Sequence, residues 1–213
     1  MSPSGHLRVG VLASGAGTNL QALIDGVHGT DGIELVCVGT DKPDAPALER
    51  AAAAAIPTRV FVRDDFPARD ARDEAISAWL RESGVQLVVL AGYMQLLSTG
   101  FTDAWAGRLV NVHPSLLPAF PGIRAIEQAL DYGVKVFGVT VHLVDDGVDT
   151  GQILAQRAID LPSARTVAEV HIFLRPLEHA LLCDVVRRYA RGTVRPDPDH
   201  PRRMLIGDPP LPS

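Results

Sequence analysis

The hydrophobic positions fall into two periods that take turns along the chain. Leu7 to Ala13 is an apolar run of strand length. Behind the polar, glycine-containing stretch Ser14 to Asn19, Leu20, Leu23, Ile24 and Val27 recur at helical spacing. Ile33 to Gly39 predicts a second strand, closed by Thr40-Asp41-Lys42-Pro43. Pro46 to Ala55 predicts an Ala-rich helix with Pro46 suited to its first turn. Thr58 to Val62 reads as a third strand, and Ala68 to Ser83 as a helix ended by Gly84. Gln86 to Ala91 and Leu109 to Val112 read as strands four and five, with a helical stretch after Phe120-Pro121-Gly122. Val136 to Val144 and Gln152 to Ala158 predict two more strands, joined by the acidic turn Asp145 to Gly151. Thr166 to Ala190 is helical in pattern, but Pro176 lacks an N–H and crowds the preceding turn, so a break or kink is expected there. Met1 to His6 reads as a loose tail, and Gly192 to Ser213 as Pro-rich with slight strand propensity at Met204 to Ile206.

Continuous apolar strands alternating with helices require a mostly parallel sheet covered on both faces, and right-handed crossovers make it doubly wound. The expected architecture is therefore a single Rossmann-like α/β domain over residues 1–190, followed by a Pro-rich C-terminal tail over 191–213.

Composition narrows the function classes. Hydrophobic residues make up 46% and aromatics 5% of the 213, so the core is aliphatic. The net charge of −5 offers no basic surplus for nucleic acid or an anionic membrane. Cys37 and Cys183 both lie in apolar surroundings, as reduced core residues of a cytoplasmic protein do. No basic start with an apolar run behind it marks a signal peptide, and no apolar run reaches the length of a membrane span.

Three stretches carry candidate chemistry. Gly15-Ala16-Gly17 after the first strand is a partial dinucleotide fingerprint, with Leu20 in the place of the third glycine. It is also no Walker loop. Two glycines ahead of a helix N-terminus, with the Thr18 hydroxyl and the Asn19 amide, suit a single phosphate monoester; the plainer reading is a tight strand-to-helix turn. Asp41 stands only approximately where a ribose-binding acid would be. Asn111 and His113 alternate onto one face of the fifth strand, and Pro114 stops that strand. An amide and an imidazole thus sit side by side at the edge where open α/β sheets bind ligands, or else only satisfy nearby backbone groups. Asp145, Asp146 and Asp149 form either a solvated turn or, through Asp149, a carboxylate partner for His113. The spacing fits neither a calcium loop nor a zinc cluster, so no metal is expected.

Four segments in order then carry a resemblance over Leu7 to about Ala190: Ser14 to Leu20, Leu90-Ala91-Gly92-Tyr93-Met94, Asn111 to Pro118, and Asp145 to Gly151. Together they resemble the phosphoribosylglycinamide formyltransferase family of folate-dependent enzymes. The Asn-x-His-Pro-Ser string alone marks the broader formyltransferases. The resemblance implies the formyltransferase fold and transfer of a formyl group from 10-formyltetrahydrofolate to glycinamide ribonucleotide in purine biosynthesis. It implies Asn111, His113 and Asp149 as the catalytic trio, with His113 held protonated by Asp149. Gly17, Thr18 and Asn19 would take the substrate phosphate and Glu178 another part of that substrate. Met94, Gln95, Leu96, Leu97 and Asp145 would bind the folate. The chain departs from the family pattern at Ala119, Arg124 and Arg175. Both substrates are small molecules, and a homodimer stays open. A formyltetrahydrofolate hydrolase would carry a regulatory domain ahead of the first strand, and a transfer-RNA formyltransferase an RNA-binding domain after the last helix; neither fits this layout. A nicotinamide oxidoreductase would share the fold, but the missing third glycine argues against it; a non-catalytic nucleotide-binding module would use only the glycine loop and would not need Asn111, His113 and Asp149 together.

Overall fold

The computed structural model describes residues 6–207, so all but His6 of the expected N-terminal tail lies outside the described residues. The chain runs β1 (Leu7–Leu12), α1 (Thr18–Gly26), β2 (Ile33–Thr40), α2 (Pro46–Ala53), β3 (Thr58–Val60), α3 (Arg69–Glu82), β4 (Leu87–Leu90) and α4 (Thr99–Ala104). It continues with β5 (Leu109–His113), α5 (Ala125–Tyr132), β6 (Val136–Leu143), β7 (Ile153–Asp160), α6 (Val167–Ala190), β8 (Val194–Asp197) and β9 (His200–Ile206). Seven strands form one sheet in the order β3-β2-β1-β4-β5-β6-β7. The five on the β3 side pair in parallel; β5–β6 and β6–β7 are antiparallel. The expected α/β class and mostly parallel sheet are what the structure has.

Strand alternation explains why the strands are apolar on both faces. Val9 and Val11 of β1, with Leu87 and Val89 of β4, face a layer containing Leu20 and Leu23 of α1 and Val170, Leu174, Leu181 and Val185 of α6. Leu12 of β1, with Val88 and Leu90 of β4, faces the opposite layer with Ile76 and Leu80 of α3 and Phe101 of α4. No helix among the described residues is long and apolar enough to cross a membrane.

Two expectations change, and one unforeseen element appears. The helix α6 is continuous through Pro176, without the expected break. Val170 and Leu174 before the proline, and Leu181, Val185 and Val186 after it, are all buried, so packing on both sides favours continuing the helix. Its start is fixed by a capping box between Thr166 and Glu169. The unforeseen element, α4, is too short to display a period, yet it buries Phe101 and leads into the buried Trp105, whose indole N–H donates to Ser77 Oγ at 2.9 Å. The other change is that β8 and β9 form an antiparallel hairpin within the stretch expected as a tail, with Val194, Met204 and Ile206 packed on the main core.

The chain leaves β1 toward β2 on one side, and β4 adjoins β1 on the other. The loops after β1 and β4 therefore flank a topological switch point, where an open α/β sheet leaves a crevice at its C-terminal edge. Ser14 bridges them: its Oγ accepts from Met94 N–H at 2.8 Å, and its N–H donates to Gly92 O at 3.1 Å.

Candidate active site

β5 ends in the crevice with Asn111 and His113 on one face, and the antiparallel register sets Asn111 opposite His142 and His113 opposite Thr140. The turn between β6 and β7 returns the third member. Asp149 takes a left-handed backbone, φ 55°, and its carboxylate reaches back over the end of β5. The Thr150 hydroxyl and Gly147 N–H both donate to Asp145 Oδ1, which pins the turn. At Gly151 a Cβ would overlap the Leu143 carbonyl, so only glycine lets the turn close.

Asp149 is the hub of this corner. Its Oδ2 accepts from Gly122 N–H at 2.7 Å and lies 3.2 Å from His113 Nδ1. Its Oδ1 lies 3.4 Å from His142 Nε2 and 3.5 Å from Asn111 Nδ2. His142 is 1% exposed; its Nδ1 faces the Leu143 carbonyl at 2.7 Å and its Nε2 faces Asn111 Nδ2 at 3.2 Å. A carbonyl only accepts, so His142 carries a proton on Nδ1, and its Nε2 lies between Asp149 Oδ1 and the Asn111 amide. Burial raises the Asp149 pKa, but the hydrogen bonds from His142 and Gly122 and the charges of the two imidazoles outweigh it, and the carboxyl titrates below its ordinary value. Asp149 is thus an anion at neutral pH.

His113 is pulled two ways. Both its ring nitrogens face acceptors, Asp149 Oδ2 and the Phe120 carbonyl, which suits the expected protonated state, while burial draws its pKa below the ordinary value of 6.5 by more than those two raise it. Its Nε2 lies 2.8 Å from the Phe120 carbonyl, which requires a proton on that nitrogen. Negative charge developing on a neighbouring oxygen would favour the imidazolium again, with Asp149 already in place on Nδ1. Ser115 is no nucleophile here, since its hydroxyl donates to Ala119 O at 2.6 Å.

Gly17 is the N-cap of α1 with φ 68°, and a Cβ there would stand 2.9 Å from Cα and Cβ of Ala47 in α2. The loop carbonyls are tied to α2: Gly15 O accepts from Ala47 N–H at 3.2 Å and Ala16 O from Arg50 Nε at 2.8 Å. Thr18 and Asn19 open the helix, so their N–H groups have no intrahelical acceptor and suit an anion. Asn19 does not turn its amide outward: Nδ2 donates to Glu178 Oε2 at 3.3 Å, while its buried Oδ1 has no partner. Glu178 is 9% exposed. Burial lifts its pKa, and Asn19 and Arg175 offset only part of that lift. The structure therefore brings Gly17, Thr18, Asn19 and Glu178 together across α1 and α6.

Met94 and Leu96 are 69% and 65% exposed, although the segment around them is anchored. Among the described residues the N–H groups of Gln95, Leu96 and Leu97 take no acceptor. Met94, Gln95 and Leu96 line a cavity of about 580 Å³ with Arg63, Arg69 and Arg72. Asp145 lines a different hollow of about 370 Å³, with Thr102, Asp146 and Tyr189, so it does not join that cavity. Asp41 is buried; its Oδ2 accepts from Gln95 Nε2 at 2.8 Å, while its Oδ1 has no partner. Among the described residues no group of three or more His, Cys, Asp or Glu side chains is placed to hold a metal ion.

His142 and Arg72 escaped the sequence reading. The one signal for His142 is a polar residue inside the apolar run of β6, and only the pairing with β5 gives it meaning.

The formyl transferase family profile matches residues 7–186. A phosphoribosylglycinamide formyltransferase of Bacillus subtilis is 41% identical over 182 residues, 84% of this chain and 92% of that protein. The trifunctional purine biosynthetic protein adenosine-3 of Drosophila pseudoobscura pseudoobscura is 47% identical over 157 residues, 72% of this chain, but the chain spans only 12% of that protein's length. The crystal structure of glycinamide ribonucleotide transformylase 1 from Symbiobacterium toebii superposes with a TM-score of 0.91 at 41% identity, covering 96% of each chain. With the family profile spanning most of its length, the chain belongs to the formyl transferase family.

Proposed function

We propose that this chain transfers the formyl group of 10-formyltetrahydrofolate to the amino group of 5'-phosphoribosylglycinamide, a step of purine biosynthesis. The observation that carries the reading is the convergence of Asn111, His113 and Asp149 at the C-terminal edge of the sheet that also holds the glycine loop.

In this reading Thr18 and Asn19 N–H groups hold the phosphate, with Gly17 giving it room. Glu178 and the free Oδ1 of Asn19 accept from the substrate's hydroxyl or amide groups. The folate lies against Met94, Gln95, Leu96 and Leu97, and the backbone N–H groups of the last three face it; Asp145 supports the fold of the turn opposite. The amine attacks the formyl carbon directly, since both substrates are held in contact and no enzyme nucleophile is required. As the carbonyl π bond opens, Asn111 donates to the oxyanion, and His113 does so by exchanging the Phe120 carbonyl for it at Nε2. Asp149 orients His113 and stabilises its charged form. The amine loses a proton, and N10 of the folate takes one up as its bond to the formyl carbon breaks. Asp149 and His113 are the groups through which that proton passes.

The unit doing this is residues 1–190, with 191–213 as an appendage. The reaction runs in the cytoplasm on two small molecules, without metal, nucleic acid or membrane, and a homodimer is compatible with it. Mixing the protein with both substrates and following products by mass spectrometry tests the reading. Formyl glycinamide ribonucleotide should appear in a one-to-one ratio with folate consumed. Free formate released at a rate insensitive to the ribonucleotide would favour a hydrolase instead.

A further inference from the structure

The segment 94–98 is irregular backbone lying on a buried ion pair that the formyl-transfer chemistry does not use. Arg72 and Asp73, adjacent in α3, are 2% and 0% exposed. Two nitrogens of the guanidinium, Nε and Nη2, reach Asp73 Oδ1 at 3.0 and 2.8 Å. The rest of the fork turns to the segment: Nη1 donates to Gln95 Oε1 at 3.2 Å and Nη2 to the Leu96 carbonyl at 3.2 Å. Asp73 Oδ2 accepts from Ser98 N–H at 2.6 Å. With Ser14 on Met94 N–H and Asp41 on the Gln95 amide, the segment is fastened at both ends and in the middle.

A buried ion pair is a poor way to stabilise a helix face, because desolvation offsets the attraction and an apolar pair would pack as well. Its use lies in what it holds. Irregular backbone outside the helix and sheet ladders needs other partners, and here one planar fork supplies them to a side chain and a carbonyl at once. The N–H groups it leaves without acceptors, at Gln95, Leu96 and Leu97, are those beside the exposed Met94 and Leu96.

We propose that Arg72 is a positioning residue for the folate co-substrate, fixing the Leu96 carbonyl and the Gln95 side chain so that the backbone of residues 95–97 presents its N–H groups in one line. The inference rests on the folate reading above. It makes Arg72 specific to one substrate, since nothing it touches belongs to the glycine loop or to the Asp149 corner.

The test is Arg72→Lys. Lysine keeps a charge beside Asp73, but an ammonium cannot span Asp73, Gln95 and Leu96 together. The KM for 10-formyltetrahydrofolate should rise about tenfold, as loss of a charge-assisted hydrogen bond predicts. At saturating folate kcat should stay close to wild type and the KM for the ribonucleotide should not move, while the thermal midpoint falls as the buried pair is weakened. Calorimetric affinity for tetrahydrofolate should fall by the same factor. Gln95→Met leaves the ion pair whole and should raise the folate KM in the same direction, which keeps the test open if Arg72→Lys fails to fold. An unchanged folate KM in the folded variants, or equal losses for both substrates, overturns the proposal. Wild-type protein that binds no tetrahydrofolate overturns the folate reading itself, and that outcome needs no variant to detect.

Discussion

The glycine loop and the Asp149 corner lie along the same edge of one sheet and are built in opposite ways. The loop is one contiguous stretch in the parallel half, and what it offers a ligand is mostly backbone N–H at the start of α1. The corner sits where the sheet turns antiparallel, and it gathers side chains from β5, β6 and the β6–β7 turn, with Gly122 closing it. A backbone site needs little from its side chains except that one of them be missing, at Gly17. A side-chain site carries acid–base chemistry, but it depends on the register of two strands and on one left-handed residue.

The largest expected effect breaks the corner alone. Asp149→Asn can still accept from Gly122 N–H but removes the charge that supports His113, and kcat should fall on the order of 10²- to 10³-fold with the thermal midpoint nearly unchanged. Turnover close to wild type would remove Asp149 from the chemistry. His113→Ala should lose activity on the same scale.

Breaking the loop should look different, because its glycine is also a packing position. Gly17→Val forces a branched side chain into a left-handed backbone and against Ala47, costing about 1–3 kcal/mol of stability. Chemical denaturation should show that loss, and calorimetry should show weaker ribonucleotide binding with tetrahydrofolate binding retained. Unchanged ribonucleotide affinity would separate the loop from the phosphate.

A third experiment sharpens the electrostatic side of the comparison. The His113 pKa is lowered in the fold, so this residue contributes stability that is present above its ordinary pKa and lost as pH falls through that range. Asp149 opposes the lowering. In an NMR titration His113 should therefore titrate below 6.5 in the wild type and lower still in Asp149→Asn. A titration that moves upward in the variant would contradict the role of Asp149 in holding the pKa up, and a wild-type value above 6.5 would contradict burial as the dominant influence.

The smallest effect belongs to Glu178, on the loop's side. Its folded pKa is raised, so the stability it contributes is present below its ordinary pKa and lost as pH rises through the raised value. Glu178→Gln cannot titrate, and its amide oxygen can still accept from Asn19. Thermal melts should show the variant gaining on the wild type from the ordinary carboxylate range upward. Parallel pH profiles for the two proteins would rule out the raised pKa.

Sequence alone determined what is contiguous. Apolar runs placed the inner strands of the sheet, because a strand buried on both faces must be apolar throughout; the edge strands β3 and β7 are only partly buried. The glycine loop and the Asn111–His113 pair were legible because both are local: a turn before a helix, and two side chains one pleat apart. Tertiary structure decided the rest. His142 joins the corner only through the pairing of β5 with β6, a contact between residues 31 apart in the chain. Arg72 reaches Leu96 across 24 residues, and no local pattern distinguishes it from a solvated arginine on α3. Packing on both sides carried α6 through Pro176, against its local preference. The protonation state of His113 turned on how deeply the folded chain buries it. Coulomb attraction and desolvation oppose each other there, and a sequence names the partners but not the depth.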